Sequence, residues 1–253
     1  MLIFEVLRYV LSPHSVKSIV FLLALLPLSL LTCLAQAHPR VADPSQLLFR
    51  EANTPAARQL TKAALNQQPG AFLNEGQYET GYLYLLSGRR VLVAGLRYHV
   101  GQRMVQVQDS LQPDSTSFWP LAALRGFDLG TEDDPATLRR YRPRLVHDGR
   151  QPDRREAVQV LTTTDAGPLL LAWLPVLLPG TQTPAQVLLA GAGRDAAQPL
   201  RPLDPRDAEV QRLLGEWADK VRAFARIHNL HCCAPLEVAQ MLNYYNQLAV
   251  AVK

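Results

Sequence analysis

The sequence predicts an α+β fold, an antiparallel β-rich body (sandwich or open barrel) with C-terminal helices packed on it. Between Tyr78 and Leu203, short apolar or alternating segments recur at roughly ten-residue spacing with Gly, Asp and Pro between them, the pattern of an antiparallel sheet. After Asp204 the apolar period changes from two to three and four, which marks helices. The chain has 253 residues, 48% of them hydrophobic and 19% charged, so it can bury a core without disulfide staples.

The N-terminus reads as an export signal. Ser18 to Leu34 carry no charge, Arg8, His14 and Lys17 precede them, and Ala35-Gln36-Ala37 offers a small-x-small cleavage site. Residues 1–37 are therefore expected to be a signal peptide, with the mature protein starting at His38 in the periplasm or outside the cell. The apolar run falls short of the ~20 residues of a membrane span and Pro27 interrupts it, which disfavours an uncleaved anchor. Lipidation of Cys33 is the other rival, although Thr32 stands where a lipoprotein signal places a smaller residue. The long segment from Met1 to Val16 also leaves room for a later start, at Val16.

Residues 38–75 read as a polar and helical lead-in, with a helical turn around Ser45–Arg50. A helix follows from the Thr54 cap and Pro55 to the Pro69-Gly70 stop. The β-rich domain is expected over 76–203. Its strands are predicted at Thr80–Leu86, Arg90–Val100, Met104–Gln108, Ser117–Trp119, Leu124–Leu129, Arg139–Val146, Ala157–Thr163, Leu169–Leu174 and Gln186–Leu189. Ser87-Gly88-Arg89 and Asp165-Ala166-Gly167 supply hairpin turns, Gly95 suggests a bulge, and Ala190 to Gly193 read as a turn. Residues 204–253 are expected to be helical. Asp204 is read as the cap, Val210, Leu213, Leu214, Trp217, Val221 and Phe224 as the apolar stripe, and Gly215 as a break. A second helix is placed at Leu236–Gln247, after Pro235 and with Asn246 near its close. One of Tyr244 and Tyr245 is expected in the core and the other at the surface.

The densest reactive cluster is His228-Asn229-Leu230-His231-Cys232-Cys233. Imidazoles and thiolates are preferred ligands of zinc and copper. Against a metal site, no second ligand pair stands elsewhere in the mature chain, so the favoured reading is a helix end followed by two buried thiols. A vicinal disulfide and an intermolecular bridge are the other outcomes open to Cys232 and Cys233. No Gly-x-Ser-x-Gly elbow, phosphate-binding glycine loop or His-Glu-x-x-His motif is present, so no catalytic residue and no cofactor are assigned. Glu132-Asp133-Asp134 reads as a solvated loop rather than a calcium site. Tyr78, Tyr82, Tyr84 and Tyr98 read as sheet-stabilising rings before they read as a ligand-binding face.

The formal net charge is +4 and the mature lysines are only Lys62, Lys220 and Lys253. The scattered arginines are taken as compositional, and without a basic stripe carrying aromatics no nucleic-acid partner is expected. An outer-membrane barrel is disfavoured by the uneven strands and helical end.

The export signal, a Gly-Tyr-rich hairpin, the strand Val105-Gln106-Val107-Gln108, the segment Arg125-Gly126-Phe127 and the terminal Leu242-Asn243-Tyr244-Tyr245-Asn246 occur in that order. Over roughly Gly76–Gln247 they resemble uncharacterised exported proteins of Bacteroidota. That resemblance implies an envelope or secreted location and transfers no active site.

Three functions stand as expectations. The first is a non-catalytic binding or structural module whose partner is an envelope macromolecule or glycan. Membrane contact would come only through the signal segment or a lipidated Cys33. The second is a hydrolase with a noncontiguous site, which a deep pocket combining His99 or His147 with a carboxylate would favour and a smooth surface would disfavour. The third is a metal or redox protein using His228, His231, Cys232 and Cys233.

Overall fold

Ten strands build the body: β1 (Glu79–Leu85), β2 (Arg90–His99), β3 (Met104–Gln108), β4 (Thr116–Pro120), β5 (Leu124–Leu129), β6 (Arg139–Val146), β7 (Arg154–Val160), β8 (Leu169–Val176), β9 (Ala185–Ala192) and β10 (Arg201–Pro202). In this computed structural model, which describes residues 43–108, 115–147, 149, 152–178, 180–181 and 183–251, they form one antiparallel sheet. Its order is β10-β9-β8-β7-β6-β5-β1-β2-β3-β4. The expected signal peptide and Cys33 lie outside the described residues. Among the described residues no helix is long and apolar enough to cross a membrane.

Connection lengths force the sheet to curl. Only the 3-10 turn Leu121–Ala123 joins β4 to β5, and such a turn advances ~2 Å per residue. In a flat sheet β4 would lie four strand spacings from β5, about 19 Å away. The first five strands therefore roll into a small barrel-like lobe around Leu83, Leu96, Tyr98, Val105, Phe127 and Leu129. The bulge anticipated at Gly95 is present. Glu79 pairs with Leu96 but Gly81 with Val93, which leaves one extra residue in β2.

The second lobe closes differently. Leu200 bridges back to Val146 in parallel, its N–H donating to Leu145 O at 2.8 Å while His147 N–H donates to Leu200 O at 2.9 Å. This encloses Val158, Val160, Leu170, Ala172, Leu174 and Leu189. The same strands alternate outward, so Leu171, Leu188 and Ala190 face the C-terminal helices. Strand β8 is covered on both faces, which is why its sequence LLLAWLPV reads as continuous apolar rather than alternating.

Among the described residues, five helices complete the unit that spans Asp43–Lys253: α1 (Pro44–Ala52), α2 (Pro55–Gln67), α3 (Asp207–Leu214), α4 (Ala218–Ile227) and α5 (Pro235–Ala251). Thr54 caps α2 as expected, its Oγ1 accepting from Ala57 N–H. Several details differ from the sequence reading, and the last helix runs on to Ala251 past the expected Gln247. Helix α3 starts at Asp207 behind Arg206, which makes no side-chain cap bond, while Asp204 instead pairs with Arg206 at 2.9 Å. Strand β9 runs on through Ala192, because Gly191 and Ala190 pair with Leu170 and Leu171.

Two asparagines tie helices to open strand positions. At the β4 edge, Asn53 donates to Phe118 O at 2.7 Å and accepts from Phe118 N–H at 2.9 Å. On β8, Leu169 lies beyond the last residue of β7, so its outward N–H and C=O have no strand beside them. Asn246 supplies both partners, at 2.8 Å each. Asn246 is thus a buried strand mimic inside α5 rather than a helix-closing residue. Gly167 makes room for it, since a Cβ there would sit 2.7 Å from Asn246 Nδ2.

Candidate binding groove

A groove of about 560 Å³ with an apolar floor lies in the helical layer. It exists because α3 and α4 are not one straight helix. Gly215 takes φ +55°, a conformation that side-chain-bearing residues rarely adopt, and the 3-10 turn Gly215–Trp217 redirects the chain. The floor comes from the inward stripe of both helices, Val210, Leu214, Val221 and Ala225, together with Met241 of α5. The mouth is polar and mostly basic, with Arg206, Arg222, Arg226 and His231 against the single carboxylate of Asp207.

The sequence cluster at 228–233 is only partly gathered here. His231, Cys232 and Cys233 line the groove, whereas the His228 ring lies on Phe224 at 4.3 Å, outside the lining. Cys232 Sγ lies 4.0 Å from Met241 Sδ. Burial, and then its bond to Asp207, pushes the Cys232 thiol up to about 12, so it is protonated and a poor nucleophile at neutral pH. Both cysteines are free, and Cys233 is exposed on the solvent side of its turn, which corrects the expectation of two buried thiols. Among the described residues no three His, Cys, Asp or Glu side chains are placed to hold a metal ion. Tyr244 stacks on Phe224 at 4.2 Å, and both Tyr244 and Tyr245 are half-buried against the helical core rather than split between core and surface.

The histidines of the hydrolase expectation are engaged elsewhere. His99 is wholly buried, with Nε2 bonded to Gln68 O and Nδ1 accepting from Gln102 N–H, each at 3.0 Å. These partners fix the neutral Nε2–H tautomer, and burial lowers the His99 pKa below its ordinary value. His147 does meet a carboxylate, Asp153 at 2.7 Å, but both side chains are solvent-exposed rather than enclosed in a deep pocket. Glu132 of the acidic loop pairs with Arg90 at 2.8 Å.

Tyrosines and arginines mostly serve the fold. Tyr98 lies in the core, Tyr84 donates to buried Asp128 at 2.7 Å, and Tyr82 and Tyr78 lie under Arg90 and Arg97. Burial and the Asp128 bond raise the Tyr84 pKa to about 12. Along one face of β6, Arg140 holds the carbonyls of Thr162 and Thr163, Arg142 pairs with Asp128 and Asp165, and Arg144 gathers the carbonyls of Ala192, Gly193 and Asp195. A guanidinium fork reaches two carbonyls at once, which an ammonium does less well. At these positions arginine is therefore a structural requirement, not the compositional accident that its scatter along the sequence suggested.

Sequence reasoning placed Val210, Leu214 and Val221 on the core stripe but missed the rim of Arg206, Arg222 and Arg226. Helical spacing brings Arg222 and Arg226 to one side of α4, four residues apart, and that was the available signal. No family model, no curated protein and no solved structure matches the chain.

Proposed function

We propose that this is an exported, non-catalytic binding module of the cell envelope whose binding surface is the helical groove. The observation that carries the reading is the placement of charge. The groove is apolar along its floor, the half-buried Cys232 thiol is held protonated, and the charged side chains sit at the mouth. Such a surface recognises and holds, with a few polar groups fixing orientation. Export rests on the charge-free Ser18–Leu34 run and the Ala35-Gln36-Ala37 site, and is in keeping with the resemblance to exported proteins of Bacteroidota.

The test is expression of the full chain in a double-membrane bacterial host, with methionine methyl groups labelled. The expected result is release by osmotic shock of a chain starting at His38, and movement of the Met241 methyl signal by an envelope extract. Retention of the uncleaved chain in the cytoplasm overturns the export part. Turnover of an ester, glycoside, phosphoester or peptide that is lost in His147→Ala overturns the non-catalytic part.

A further inference from the structure

We infer that the groove takes a single-chain fatty acid, its carboxylate at Arg226 and its chain along the Val210–Val221–Met241 floor. The inference rests on the binding-module reading and adds the class of ligand. Size fits, because small-molecule sites run to ~300–1,000 Å³ and this one holds about 560 Å³. The lining is predominantly apolar side chain, which suits a hydrocarbon better than a glycan.

Charge complementarity selects the head group. Three guanidiniums stand at the mouth against one carboxylate. Arg206 leans on Asp204 at 2.9 Å and Arg222 on Asp219 at 3.0 Å, and neither acid lines the groove. Arg226 has no carboxylate within salt-bridge reach among the described residues, so its charge is free for an incoming anion. A zwitterionic or cationic head would forfeit these contacts while keeping the apolar ones.

The mature chain holds two methionines, and they make the test internally controlled. Met241 lies in the groove, whereas Met104 packs in the separate Leu65–Phe72–Phe118 cluster. Dodecanoate titrated below its micellar concentration is expected to move the Met241 methyl signal and leave Met104 in place. It should also slow alkylation of Cys232. Arg226→Gln should weaken dodecanoate roughly tenfold, about the effect of losing one charge-assisted contact, and dodecyltrimethylammonium should bind weaker by at least as much. Ala218→Phe, which fills the groove from α4, should abolish the Met241 shift with the fold retained by circular dichroism.

A Met241 signal unmoved by dodecanoate, or moved equally by the cationic amphiphile, overturns the fatty-acid inference. So does a response confined to anionic phospholipid vesicles, which would make the face a bilayer contact. If an envelope extract still moves Met241 in any of these cases, the binding-module reading stands and only the ligand class falls. If the extract moves nothing either, both fall.

Discussion

Replacing Asn246 by leucine removes a paired hydrogen bond while keeping side-chain size close to the original. In the wild-type chain the side-chain amide of Asn246 answers both the N–H and the C=O of Leu169 at 2.8 Å, with Asn246 itself only 7% exposed. Leucine answers neither. A buried backbone group left without a partner costs about 1–3 kcal/mol, and partial solvent access at Leu169 favours the lower half of that range. Leucine returns roughly 0.5 kcal/mol through better helix propensity. The net loss expected is therefore about 1.5–3.5 kcal/mol, or roughly 3–14 °C in melting temperature for a chain of this size. Urea unfolding followed by tryptophan fluorescence and far-ultraviolet circular dichroism measures it. Asn243→Ala is the control, since Asn243 accepts only one exposed bond, from Thr163 N–H, and should cost about 0.5 kcal/mol or less. A stability for Asn246→Leu within 0.5 kcal/mol of wild type would refute the strand-mimic argument.

The same logic applies to Asn53→Leu at the β4 edge, where the expected loss is about 1–3 kcal/mol with faster backbone amide exchange at Phe118. His99 gives a pH dependence. Because burial lowers its folded pKa below the ordinary 6.5, the unfolded chain binds the proton more readily, so its contribution to stability is full above that value and declines as pH falls through the window beneath it. His99→Gln, an uncharged replacement with a donor and an acceptor, should flatten that slope in denaturant titrations between neutral and mildly acid pH. A slope unchanged by the substitution would show that other groups carry it. Thiol counting should separate the cysteines. Exposed Cys233 is expected to react with an aromatic disulfide reagent at least about tenfold faster than Cys232, whose pKa is pushed up to about 12. Equal rates in the folded protein would contradict the groove geometry.

The parts of the fold governed by local periodicity were legible in the sequence. Alternation and turn residues located the strands to within a few residues, Gly95 marked the β2 bulge, and Gly215 marked the break between α3 and α4. What was not legible depends on partners distant along the chain. Asn53 reaches 65 residues ahead and Asn246 reaches 77 back, so neither announces its role through its neighbours. Asn246 looked like a helix terminator because asparagine favours ends when no strand position waits for its amide. The arginine ladder of β6 was hidden for the same reason, since Thr162, Ala192 and Gly193 become neighbours only once the sheet has curled. The groove was half legible. Its floor followed from helical spacing, while its rim became a surface only when α3, α4 and the turn before α5 were brought together.

The most direct test of the central claim, a binding module working through the helical groove, is the native mass of the protein recovered from its own host without reductant or detergent, beside Ala218→Phe. The account predicts a chain of His38–Lys253 carrying an apolar, acidic small molecule that the variant lacks. A wild-type chain that is ligand-free, or an adduct equally abundant on Ala218→Phe, would contradict it.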